Sequence, residues 1–170
     1  VLKRDFDGKE YTRRLESRIR DEGYAALGIP GRSTALTVSM MLASPKIVEL
    51  LIESCANVES VDVMGNDGFM FASALGRPKN LQCWLERVKD WDLSRQNTVL
   101  GGCALGHAVY MGANKLETVK ILLDAGVSLD YRTFTGGNVL INAVENEDSD
   151  PDVVRVILEK MKASFSEKEF

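Results

Sequence analysis

The 170 residues carry 21 basic and 25 acidic side chains, for a net charge of -4. That length suits one domain or one row of short repeats, and the interspersed charge offers no broad basic field, so no nucleic-acid partner is expected. No apolar run approaches the roughly 20 residues needed to cross a bilayer, and no membrane insertion is expected.

Cys55, Cys83 and Cys103 are odd in number, none stands in a Cys-x-x-Cys pair, and no Asn-x-Ser/Thr sequon occurs. This points to an intracellular, reducing compartment, cytoplasm or organelle interior. Val1 in first place leaves a removed targeting segment or a longer parent protein open.

At the N-terminus, Tyr11, Leu15 and Ile19 recur at i, i+4 and i+8 among Arg13, Arg14, Arg18 and Arg20. The pattern predicts one amphipathic helix ending at Gly23. Glu10, Glu16, Asp21 and Glu22 dilute the basic charge, so the arginines read as a solvated helix face. Residues 1–30 are expected to form a helical extension that caps the units after them.

A unit then recurs. Pro45, Pro78 and Pro151 each precede by three residues an apolar residue that opens a stripe: Val48-Leu50-Leu51-Ile52, Leu81-Cys83-Trp84-Leu85 and Val154-Val156-Ile157-Leu158. In a fourth stripe, Val119-Ile121-Leu122-Leu123, Leu116 takes the proline position. Proline fits the first turn of a helix, where its missing N–H has no helical partner, and Ser44 and Asp150 are suitable N-caps.

The anchors Val48, Leu81, Val119 and Val154 are 33, 38 and 35 residues apart, one supersecondary unit per step. Upstream of each lies a second apolar segment with small residues: Leu36 to Leu42, Phe69 to Leu75, Leu105 to Met111 and Leu140 to Val144. Each unit is therefore a predicted helix pair. Turn chemistry separates the units at Met64-Gly65-Asn66-Asp67-Gly68, Arg95-Gln96-Asn97-Thr98 and Thr135-Gly136-Gly137-Asn138.

These units resemble ankyrin repeats, whose pattern runs roughly D-x-x-G-x-T-P-L-H-x-A, a glycine, V-x-L-L-L and G-A-D-V-N. Thr34-Ala35-Leu36-Thr37 stands at T-P-L-H in the first unit; the second carries Asp62, Gly65, Phe69, Ala72, Gly76, Leu81, Trp84 and Leu85. The third offers Leu105, Ala108, Gly112 and Val119 to Gly126, and the fourth Leu140, Ala143 and Val154. No unit keeps the full T-P-L-H, and an insertion near residues 92–100 lengthens the turn before the third unit. Tandem helix pairs of the TPR or HEAT type are the alternative fold, disfavoured by the glycine-rich turns.

The resemblance implies an all-α fold, an ankyrin-type helical repeat solenoid with finger-like turns and an N-terminal capping helix. Its units would span residues 31–61, 62–94, 95–132 and 133–161, and residues 162–170 would form a polar tail.

For chemistry the chain offers little. His107, the single histidine, follows Cys103 by four residues, so one helix face would present both. Two ligands do not make a zinc site, and nothing identifiable orients the histidine or forms an oxyanion hole for a thiol nucleophile. The Gly101-Gly102 and Gly136-Gly137 pairs lack the lysine and the strand-then-helix context of a phosphate loop and read as turns. Glu145, Glu147, Asp148, Asp150 and Asp152 lack EF-hand spacing and read as a solvated loop. A protein without catalysis, cofactor, metal or small-molecule substrate is expected.

In ankyrin repeats the partner face is made by the turn tips and the exposed side of each first helix. Carried over position by position, that face would comprise Met41, Leu42, Val63, Met64, Asn66, Ala74, Leu75, Tyr110, Met111, Arg132, Phe134, Glu145 and Asn146. Most are apolar, and exposed apolar patches mark interfaces. The expected function is binding another protein or protein complex, as a scaffold or accessory subunit of a larger assembly. The alternative is a regulatory or substrate-recruiting domain of a larger multidomain enzyme.

Overall fold

A computed structural model describes residues 32–111, 114–145 and 149–164. The expected helix within residues 1–30 lies outside them. Among the described residues there are eight helices and no strand: α1 (Ala35–Leu42), α2 (Pro45–Glu53), α3 (Gly68–Ala74), α4 (Pro78–Arg87), α5 (Ala104–Met111), α6 (Lys115–Asp124), α7 (Val139–Val144) and α8 (Pro151–Ser164). α8 carries the helix three residues into the segment read as a polar tail, and Ser164 Oγ donates to Lys160 O at its end.

The helices pack in a regular order. Consecutive pairs, α1 with α2 through α7 with α8, lie against each other; the odd-numbered helices form one layer in sequence order and the even-numbered ones a second.

Every odd helix begins on the same device, a side chain at the N-cap that accepts the N–H three residues on. Thr34 accepts from Thr37 within a capping box, Asp67 from Met70 at 2.8 Å, and Asn138 from Ile141 at 2.9 Å. Cys103 does the same with sulfur, its Sγ accepting from Gly106 N–H at 3.5 Å. The even helices α2, α4 and α8 open on prolines.

The core lies between the layers. Leu36, Met40, Val48, Phe69, Leu81, Trp84, Leu105, Val119, Leu122, Val139 and Ile157 are among its buried members. A small residue lets α3 approach α1, since a Cβ at Gly68 would stand 3.0 Å from Met40 Cγ, and a Cβ at Gly106 of α5 would stand 2.6 Å from the Tyr131 hydroxyl. Trp84 sits at a position where other units carry leucine or isoleucine. It meets Phe69 and stacks edge-on against Trp91, which lies beneath the Arg95 guanidinium at 4.6 Å. Arg95 also pairs with Glu59 and lies 3.7 Å from Asp67, tying the inserted segment down.

Polar groups bridge successive pairs where helix ends would leave carbonyls open. Asn80 Nδ2 donates to Ser39, Met40 and Ala43 carbonyls, Arg77 to Ala43 O at 2.8 Å, and Asn114 to Gly76 O at 2.8 Å.

The fourth stripe differs from expectation. Val153 is buried and the anchor Val154 only half-buried. In the second unit the position before the anchor, Asn80, faces the preceding pair, as its bonds to the Ser39 and Met40 carbonyls of α1 show.

Candidate partner-binding face

Three turns precede α3, α5 and α7, and each closes in the same way. Asp62 N–H donates to Asn66 O, Asn97 N–H to Gly102 O and Thr133 N–H to Gly137 O, at 2.8–2.9 Å. A side chain at the first of these positions holds the turn from inside. Asp62 Oδ1 accepts from the N–H groups of Met64 and Asn66, Asn97 Oδ1 from Leu100 and Gly102, and Thr133 Oγ1 from Gly137. Glycines with positive φ, Gly65 (83°), Gly101 (67°) and Gly136 (87°), let the chain reverse.

The turns are also bonded to one another. Thr98 N–H donates to Met64 O and Phe134 N–H to Leu100 O, both at 2.9 Å. Asn97 Nδ2 donates to Asn66 Oδ1 at 2.9 Å, and Gln96 Nε2 to Arg132 O at 2.7 Å. The three tips therefore stand side by side in fixed register, and the Phe134 ring lies over Gly101, where a Cβ would be 2.8 Å from its Cδ1.

With the backbone satisfied internally, the tip side chains are left to solvent. Val63, Met64 and Phe134 are exposed, Phe134 at 67%. Leu42, Leu75, Tyr110 and Met111, on or directly after the last turns of α1, α3 and α5, are exposed as well, Leu42 at 62%. Arg132 and Glu145 are exposed and Met41 is half-buried. Asn146 lies outside the described residues.

Two assignments change. Asn66 is only 7% exposed, because its side chain spans Asp62 Oδ2 and Asn97 Nδ2 inside the turn network and is thereby withdrawn from the tips. Ala74 is buried by the neighbouring helices. Four exposed apolar residues extend the row beyond the sequence reading: Val99 and Leu100 at the second tip, and Ile141 and Val144 on α7. Leu100 stands 34 residues before Phe134, so the period could have revealed it; the insertion near residues 92–100 hid that register.

The catalytic candidates sit in unsuitable surroundings. Burial pushes the Cys103 thiol up, outweighing backbone N–H donors from Gly106 and Leu105. Burial pushes His107 down, against the Asp62 carboxylate and the Met70 carbonyl, which favour its protonated form. Both shifts oppose a thiolate–imidazolium pair. Among the described residues no three His, Cys, Asp or Glu side chains converge as a metal site would need. In the acidic loop, Asp150 accepts from Asp152 N–H at the start of α8 and Asp152 pairs with Arg155.

No family model matches the chain. Over 119 residues, 69% of its length, the chain is 29% identical to the phosphocholine transferase AnkX of Legionella pneumophila, and the matched stretch spans 12% of that protein.

Proposed function

We propose that the chain is an ankyrin-type repeat stack that binds another protein through the row of turn tips and the exposed ends of the odd helices, and that it performs no catalysis itself. The observation that carries this reading is the recurrence of exposed apolar side chains at corresponding tip positions, Val63-Met64, Val99-Leu100 and Phe134, on turns closed by backbone bonds. Isolated apolar side chains on a surface require no explanation, whereas a register-matched row of them marks an interface. The apolar character favours a stably held scaffold or accessory subunit over a charge-steered transient contact.

The alternative reading, a recruiting or regulatory domain of a larger enzyme, is favoured by one specific finding: the partial likeness to a transferase that is much longer than this chain.

Replacing Met64 and Phe134 together with serine tests the proposed face. Central apolar anchors commonly carry ~2 kcal/mol or more of an interface each, so the double variant should lose its partner in a pull-down from the native cell. Wild-type binding should persist at high salt, because screening acts on charges. Binding that salt alone abolishes, with the double variant unaffected, would overturn the assignment.

A further inference from the structure

Two exposed apolar rows run along the stack in matched register. One is the row of turn tips, from Val63-Met64 to Phe134. The other is made by Leu42, Leu75 and Met111, each eight residues after the side chain that caps its helix, Thr34, Asp67 and Cys103. The rows overlap in the second and third units, and Leu42 and Phe134 carry them into the first and fourth. Backbone bonds fix the step between units. From one turn to the next the chain crosses two hydrogen-bonded spacings, Asp62 to Asn66 within a turn and Met64 to Thr98 between turns. Each such spacing is about 4.8 Å, so the tips recur every ~10 Å. Along each helix axis the second row stands eight residues, about 12 Å, from the cap. The exposed charges beside the tips are two cations in the outer units. Arg32 takes the left-handed position (φ 68°) that Gly65, Gly101 and Gly136 occupy in the later turns, and Arg132 adjoins the last turn. Glu145, at the end of α7, is the one exposed carboxylate beside either row among the described residues.

We propose that the partner lays one amphipathic α-helix of about 20 residues along the stack between these rows, with apolar side chains recurring every seven residues and carboxylates towards its ends. The step selects the helix. Seven helical residues rise about 10.5 Å, close to the spacing of the tips, and a helix with its side chains is about 10–12 Å across, close to the distance from cap to second row. Three residues of extended strand also cover ~10 Å, but successive anchors then point to opposite faces. A polyproline II segment matches the step, at about 9.3 Å per three residues, but is the thinner rod. Two cations against one carboxylate favour acidic groups on the partner, and the uncharged tips between them favour an apolar middle. This rests on the partner-facing row proposed above and adds the shape and charge of what it holds.

The test pans a phage-displayed library of random segments of about 21 residues, three heptads, on the full chain. Enriched segments should carry apolar residues at i, i+7 and i+14 with Asp or Glu towards their ends. A proline placed at their centre should weaken binding about a hundredfold, because it breaks a helix. Two variants of exposed residues, Met64→Ser with Phe134→Ser and Leu75→Ser with Met111→Ser, should each weaken it about tenfold or more. Segments that keep their affinity with the proline, or whose apolar residues recur at every second or third position, would overturn the helix and leave the row standing. So would basic ends, indifference to Leu75→Ser with Met111→Ser, or a library from which nothing enriches. Segments unmoved by either double variant would remove the row itself, and the helix with it.

Discussion

The seam between the helix layers and the edge made by the turn tips use the same kinds of side chain to opposite ends. At the seam Trp84, Leu105, Leu122 and Ile157 are withdrawn from water; at the edge Leu100, Met111 and Phe134 stand in it. Hydrophobicity alone does not separate the two groups. The tips hold their shape through Asp62, Asn97 and Thr133, which satisfy the turn backbone from inside. Their apolar side chains make none of these bonds and remain exposed.

The strongest way to sharpen that contrast is to truncate the seam. Leu122→Ala should cost about 2–5 kcal/mol, because the fully buried side chain leaves a cavity that neighbouring pairs cannot close. Leu51→Ala, at the corresponding position of the less covered first pair, should cost clearly less. Urea denaturation of both variants checks the order; equal losses would show that position in the stack does not govern burial.

Next in size is the turn network. Asn97→Ala removes the acceptor for Leu100 and Gly102 and the donor to Asn66. Leaving such buried groups unpaired costs about 1–3 kcal/mol, read as a lower urea midpoint. A cost near zero would mean that the tips are held by their side chains after all.

Smaller still is a pH effect at the foot of the same turns. Burial holds His107 below its ordinary value of 6.5, so near pH 6 the folded chain binds fewer protons than the unfolded one. This contribution is fully present above the unfolded-state value and declines as pH falls below it. The urea midpoint should therefore drop between about pH 7.5 and about pH 5.5, and His107→Gln should drop less. An equal fall in both proteins would place the effect elsewhere.

The smallest expected effect is at the edge itself. Met64→Ser with Phe134→Ser should change stability by less than about 1 kcal/mol, since exposed positions outside caps and networks tolerate substitution. A loss comparable to that of Leu122→Ala would make the tips part of the core and end the contrast.

Much of this was legible in the chain. The prolines at positions 45, 78 and 151, the stripes after them and the small residues before them predict paired helices, because helix starts and helical periodicity are local properties. The exposure of Leu42, Met64 and Phe134 also follows once the period is aligned. Three features depended on neighbours distant in sequence. Asn66 looks like a tip residue until Asn97, 31 positions later, draws it inside. Val153 and not the anchor Val154 is the deep residue of α8, a choice made by packing against α6 and α7. Cys103 and His107 stand four residues apart in the sequence, but the burial that raises the thiol and lowers the imidazole comes only from packing. Sequence periodicity determined which residues share a helix face; only the tertiary structure decided which of those faces another part of the chain covers, since burial is a property of the assembled layers and not of any single helix.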